Sequence, residues 1–374
     1  MSAGRRPYSP PTIRRHEVGL ANRFTTPRGR GVVDSIDGQA VEDLTREHGS
    51  PLFVFSERTL RERAQGARDA FATRWPRTRF AWSYKTNYLD AICSLFHQAG
   101  WYAEVVSAAE YAMARRLGVP GRCIVFNGAY KPAAALRQAA DDRAYVQIDH
   151  FDELGLLEEQ TAGRPTPLPV GIRVNMELQT LGVSWDRFGF NLENGEAQEA
   201  VNLLRRSRSL RLVGLHSHIG TYVHLPASYR EATERLVDFG KRIEEQLGYP
   251  LEAYNLGGGF PSQSTLHTSY GPAADHVPPL DDFAEAITGV LRREFGDRQP
   301  KPLLLLESGR ALVDDAGTLI TTVVGTRRLP GAGRGLVLDA GVNLLYTSSW
   351  YRHDVFPATE IDGEVEPTTL YAPL

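Results

Sequence analysis

The chain is short of lysine, short of cysteine and free of long apolar runs. Lysine occurs only at positions 85, 131, 241 and 301, against a combined Lys and Arg total of 42 in 374 residues. The two cysteines, Cys93 and Cys123, form no close-spaced motif, which argues against a disulfide framework or a zinc site. No stretch is apolar for long enough to span a bilayer, and the N-terminus lacks the apolar core of a signal peptide. A net charge of −3 gives no reason to expect a nucleic-acid or membrane partner. The default compartment is therefore the cytoplasm. Residues 1–31 carry a local excess of Arg with Pro and Gly, and read as a solvated terminal arm rather than a polyanion contact.

Scarcity makes each lysine informative. Lys131 precedes a proline, Lys301 lies between two, and Lys241 falls in a charged helical stretch, so all three have a ready surface reading. Lys85 instead ends the alternating run Arg79–Lys85. Phe80, Trp82 and Tyr84 share one face of it, and Ala81, Ser83 and Lys85 the other. A partly buried Lys at a strand end can lose its proton and act as a nucleophile or Schiff-base former, which Arg cannot. A snorkelling or salt-bridged Lys is the plainer alternative.

What the chain has in quantity is alternation. Short apolar runs near 80–85, 102–106, 123–127, 145–149, 169–175, 211–218, 252–256 and 303–307 read as strands. Helical patterns fill every gap, and Glu57–Trp75 precedes the first run with Ser56 as its N-cap. Strand–helix alternation implies right-handed crossovers and a parallel sheet, and eight units imply closure into a (β/α)8 TIM-like barrel. Most runs end in a polar residue or glycine: Lys85, Asn127, Asp149, Arg173, Asn175, His218, Gly257 and Glu307. In such a barrel all these ends lie on one face, where active sites of this fold are built.

Outside the barrel the pattern changes. Gln39–His48 reads as a short helix closed by Gly49. Ala311–Thr326 and Gly335–Asp339 read as strands of a smaller, mainly β domain, joined by strands from the 31–56 region. The expected division is an arm over 1–49, the barrel over 50–310 and the β domain over 311–374. The segment Gln263–Pro279 has no clear period and reads as a loop on the strand-end face.

Three motifs carry chemistry beside Lys85. Gly257-Gly258-Gly259 follows a strand and suits an anion, although a turn needed only for its geometry reads as well. His216 and His218 share a face. They could hold a metal, stack on a flat cofactor or be hydrogen-bonded core residues. Glu307 follows four leucines, where a carboxylate is costly unless paired; Arg310 is its plain partner, and a ring nitrogen its functional one. An amine, an anion loop, an imidazole and a buried acid together describe pyridoxal 5'-phosphate, with no metal required.

Tyr84-Lys85-Thr86-Asn87, Glu104–Ser107, Arg173-Val174-Asn175, Arg187-Phe188-Gly189, Gly214–Gly220, Leu256–Gly259, Glu307–Arg310 and Leu338–Asn343 occur in one order across residues 50–345. In this the chain resembles the fold-type III pyridoxal-phosphate decarboxylases, and within them the diaminopimelate branch. The resemblance implies an alanine racemase-like barrel with a β domain, and a head-to-tail homodimer with active sites at the interface. It implies that Lys85 anchors the cofactor, His218 stacks on its ring and Glu307 pairs with the ring nitrogen. Thr221 and Gly257–Gly259 would hold the phosphate, Arg310 would lie near phosphate or substrate, and Arg173 and Glu104 would line the pocket. An acid at 307 favours decarboxylation over racemisation, because it keeps the ring nitrogen protonated.

The chain also departs from the family. Ser308 replaces a proline. Leu344–Thr347 replaces an Arg-Pro pair that meets the substrate, so Arg352 or His353 would supply a substitute charge. The family's Cys-containing motif begins about where Tyr371–Leu374 stands, so the β domain is expected to be incomplete. The implied reaction is conversion of meso-diaminopimelate to L-lysine. The alternatives are decarboxylation of a specialised amino acid or conjugate in siderophore or antibiotic biosynthesis, and a catalytically impaired homologue that binds a partner.

Overall fold

A computed structural model of the chain describes residues 31–181, 185–262, 277–330, 333–346, 353–360 and 368–372. They fall into two compact units. The larger runs over Leu60–Ser262 and Val277–Asp314; the other gathers the described residues before Leu60 and after Asp314.

The larger unit is a closed barrel of eight parallel strands. In order these are Thr78–Ser83, Tyr102–Val105, Ile124–Phe126, Tyr145–Ile148, Leu168–Asn175, Leu210–His216, Ala253–Asn255 and Leu303–Ser308. Each pairs in parallel with the next, and the eighth pairs with the first through Leu304–Thr78 to Ser308–Trp82, so the sheet has no free edge. The eight expected runs and the eight strands correspond to within a few residues, because short, near-continuous apolar runs bury both faces in such a sheet. A two-residue strand, Phe190–Asn191, extends the end of the fifth.

Helices fill the gaps and their starts are built locally. Ser107 Oγ accepts from Glu110 N–H at 3.2 Å, while the Glu110 carboxylate takes the Val106 N–H at 2.8 Å. This Ser-x-x-Glu reciprocity resembles a capping box and starts Ala108–Arg116 directly at a strand end. Outward strand residues pack under the helices, as in Trp82 stacked on Phe96 at 4.0 Å. Inward residues form an apolar plug of Ala81, Val125, Ala253 and Leu305, with Tyr102, Tyr145 and Leu303 against it.

The second unit is mainly sheet. Leu52–Phe55 pairs antiparallel with Gly317–Ile320, which joins chain before the barrel to chain after it. Val323–Leu329, Gly333–Leu338 and Thr368–Tyr371 form a separate three-stranded sheet. Ser56 caps the following helix as expected, its Oγ accepting from Thr59 N–H at 3.0 Å.

Three expectations need correction. Gln39 and Ala40 are a short strand paired with Ser35–Ile36, and the helix runs only over Val41–His48. The start of the Ala311–Thr326 run is helical, Arg310–Val313, because the backbone turns there as it leaves the last barrel strand. Lys131 is not a surface residue. It is 3% exposed, and its Nζ donates to Gly128 O at 2.6 Å, Gln147 O at 3.0 Å and Glu153 Oε1 at 2.5 Å. Burial of an ammonium is tolerated there because three oxygens replace its water. Of the Gln263–Pro279 loop, residues 263–276 lie outside the described residues.

Candidate active site

The plug ends and a polar layer begins within two residues on each of four strands. Ala81 is followed by Ser83, Val125 by Asn127, Ala253 by Asn255 and Leu305 by Glu307. Since side chains on a strand alternate, each member of the second set points into the barrel just beyond its apolar neighbour.

Lys85 stands in the turn after the first strand, its side chain 48% exposed. Its Nζ donates to Ser83 Oγ at 2.7 Å and to Glu104 Oε2 at 2.5 Å. Ser83 also donates to that oxygen. Glu104 is fully buried, and its other oxygen, Oε1, accepts from Asn127 Nδ2 at 3.0 Å. Burial opposes ionisation of Glu104, but the Lys85 ammonium and the neighbouring donors outweigh it and hold the carboxyl below its ordinary range.

Glu307 is 5% exposed on the eighth strand. Its Oε1 accepts from Asn255 Nδ2 at 2.6 Å and Asn127 Nδ2 at 2.7 Å, and its Oε2 lies 3.5 Å from His216 Nε2. The simple Glu307–Arg310 pair is not what satisfies it: two amides do. Burial, then repulsion from Glu104, push this carboxyl up to about 7. The acid therefore titrates near neutrality, which is where proton exchange is most effective.

The two histidines part company. His216 is 1% exposed beside Glu307. Burial and then Arg173 hold it well below its ordinary value, so it is neutral. His218 Nδ1 accepts from Gly258 N–H at 3.2 Å, which puts the ring proton on Nε2. Burial, Arg173 and Lys85 lower His218 to about 3. Trp185, which sequence reasoning did not single out, meets His218 edge-on at 6.1 Å between centroids. No group of three or more metal-ligating side chains comes together among the described residues.

The glycine loop has both characters that its sequence allowed. Gly257 and Gly259 have φ of +64° and +86°, left-handed values that favour glycine. A Cβ on Gly258 would stand 2.0 Å from Glu307 O. The Gly257 N–H is taken by Asn255 Oδ1 at 2.9 Å, and the Gly258 N–H by His218. Of the three loop amides, that of Gly259 has no partner among the described residues. Thr221 is exposed in the adjoining turn, before Tyr222. Arg310 begins the helix after the eighth strand, its guanidinium 5.8 Å from the Tyr222 ring centre. Arg173 is nearly buried, 3.8 Å from Asp149 and 5.0 Å from the Phe188 ring centre.

Lys85, Glu104, Arg173, His218, Thr221, Gly257–Gly259, Glu307 and Arg310 thus all belong to the barrel unit. His353 lies in the other unit, and Arg352 lies outside the described residues. Asn127 and Asn255 were visible in sequence only as polar strand ends; their bonds to the two acids required the barrel to close.

A parallel barrel with a lysine at the first strand end and a buried acid at the eighth matches a defined class. Residues 57–314 match the family of pyridoxal-dependent decarboxylases, pyridoxal binding domain, and the chain belongs to that family. The chain is 30% identical to the diaminopimelate decarboxylase of Methanocaldococcus jannaschii over 330 residues, 84% of this chain and 73% of that protein. It is 29% identical to that of Bacillus subtilis over 308 residues, 80% of this chain and 69% of the relative. The M. jannaschii diaminopimelate decarboxylase crystallised with L-lysine superimposes with a TM-score of 0.74 at 28% identity, covering 83% of this chain and 72% of that one. Among the described residues no helix is long and apolar enough to cross a membrane.

Proposed function

We propose that the chain binds pyridoxal phosphate and decarboxylates meso-diaminopimelate to L-lysine, with Lys85, His218 and Glu307 as its catalytic residues. The observation that carries this reading is a half-exposed amine held over buried acids: Lys85 on Glu104, with Glu307 across the same layer. The loop fits the cofactor because Gly259 retains an N–H for an anion; the glycines themselves answer to the protein, since a Cβ at 257, 258 or 259 would collide with His218, Glu307 O or Gly220 O. Lys85 would anchor the group, Glu307 would face its ring nitrogen, and Thr221, Gly259 and Arg310 would hold its phosphate. When bound, the cofactor supplies an electron sink for the carbon–carbon bond that releases CO2.

The protein's own groups prepare that chemistry. Ser83 and Glu104 keep the Lys85 amine in place. Glu307 gains or loses a proton on Oε2, because Oε1 already accepts two amides. His218, kept neutral, offers a flat ring without adding charge, and its Gly258 bond fixes the ring's position. Arg173 supplies a positive charge within the barrel mouth that favours a carboxylate.

Purified protein supplied with pyridoxal phosphate should gain a visible band that borohydride removes. It should release CO2 from meso-diaminopimelate faster than from lysine, ornithine or carboxylated conjugates. Lys85→Ala should abolish the band and lower turnover by at least about a hundredfold. Band formation with no CO2 from any of these substrates would favour a binding role. A head-to-tail homodimer belongs to the same reading, and sedimentation at micromolar protein would test it. The division into arm, barrel and β domain at residues 49 and 310 is also part of it; limited proteolysis would place the cuts.

A further inference from the structure

Asn127 occupies a position that the chemistry of the proposed site leaves unexplained. It closes the third strand and is 4% exposed. A side-chain amide has two N–H bonds. Here the single nitrogen Nδ2 serves two acids, Glu104 Oε1 at 3.0 Å and Glu307 Oε1 at 2.7 Å. The acids come from the second and eighth strands, and Asn127 from neither. Its own Oδ1 has no partner among the described residues. That asymmetry determines which way the amide points. A flip would set a carbonyl oxygen against two carboxylate oxygens and lose both bonds.

The free oxygens are equally informative. Glu104 Oε2 faces Ser83 and Lys85. Glu307 Oε1 also accepts from Asn255, which leaves Oε2 beside His216. Each acid therefore gives Oε1 to the bridge and turns Oε2 to its other neighbours, Lys85 and Ser83 at Glu104 and His216 at Glu307.

We propose that Asn127 is a positioning residue that couples Glu104 to Glu307, so that a change of charge at Lys85 alters the proton affinity of Glu307. This rests on the proposed role of Glu307, but the coupling itself is a property of the protein alone. Two buried carboxylates repel, and a donor shared between them lowers the cost of holding both ionised. While Lys85 is an ammonium it offsets the Glu104 charge, and the two Asn127 N–H bonds hold both acids. When Lys85 loses its charge, Glu104 draws more strongly on the shared amide, which tilts away from Glu307, and Glu307 holds its proton more tightly.

The test is an infrared titration of the full chain without cofactor, the Glu307 carboxyl band being identified by its loss in Glu307→Gln. Asn127→Ala should move its midpoint upward by about one pH unit. Asn127→Ser, which keeps one donor, should move it by less, and serves if the alanine variant does not fold. Lys85→Met should raise the midpoint in the native background, and by about half as much or less with Asn127 replaced. With cofactor, the pH midpoint of the visible band should shift in the same order of variants. An unshifted Glu307 band in a folded Asn127 variant overturns the coupling, as do additive Lys85 and Asn127 effects. A native protein that forms no visible band counts against the proposed function, and the infrared titration still decides the coupling.

Discussion

Two layers of one barrel interior, four residues each and two residues apart along the chain, do opposite work. Ala81, Val125, Ala253 and Leu305 form an apolar plug that needs nothing from its surroundings except contact. Ser83, Asn127, Asn255 and Glu307, with Glu104 between them, form a polar layer in which every group depends on another. The plug's free energy is spread over many weak contacts. The layer's is concentrated in a few hydrogen bonds whose loss exposes a buried charge. The difference teaches where the barrel can tolerate change: the plug bears on folding, and the layer on charge.

The largest expected effect comes where a polar tie also supports the fold. Lys131→Met leaves Glu153 as an unpaired buried acid and should cost about 3–5 kcal/mol in urea unfolding. Lys131→Met combined with Glu153→Leu should recover most of that loss. Next, Leu305→Ala should open the plug and cost about 3 kcal/mol. Its turnover per folded molecule should stay within about twofold, since no charge moves. Glu307→Gln should reverse this pattern, lowering turnover about a hundredfold with little change in unfolding midpoint.

The smallest effects are in pH dependence, and they sharpen the contrast within the layer. Glu307 has its carboxyl raised from an ordinary 4.5 to about 7. Between those values the folded state keeps a proton that the unfolded chain has released, so stability falls as pH rises through that window. Glu104 is shifted the other way. The stability it contributes is present above its ordinary value of 4.5 and is lost as pH falls through its lowered folded value. Thermal melts of the cofactor-free protein from pH 3 to 8 should flatten between about 4.5 and 7 for Glu307→Gln and below about 4.5 for Glu104→Gln. His218 is lowered from an ordinary 6.5 to about 3, so below about 6.5 the unfolded chain takes up a proton that the folded state refuses, and stability falls as pH drops through that window.

Much of this was legible before any coordinates. The eight strands were, because each is a short apolar run separated from the next by a helical pattern. Lys85, His218 and Glu307 were, because unusual residue types close apolar runs and the motifs around them resemble a known family. Lys131 was misread, because the signal used was the proline after it, and its partner Glu153 lies 22 residues away on another unit of the barrel. The role of Asn127 was not legible, since its two acids are 23 and 180 residues distant. Nor was the division of labour in the glycine loop, where two of three amides turn inward.

The sequence by itself determined the barrel, the scarce lysine at the end of its first strand and the alternation that sets a polar residue two places beyond an apolar one. Those are local properties: period, residue type and order along a strand. Only the tertiary structure decided which acid pairs with Lys85, which stays near neutrality and which amide joins them. Closing the sheet brings the eighth strand beside the first, and burial there turns separate strand ends into one electrostatic unit.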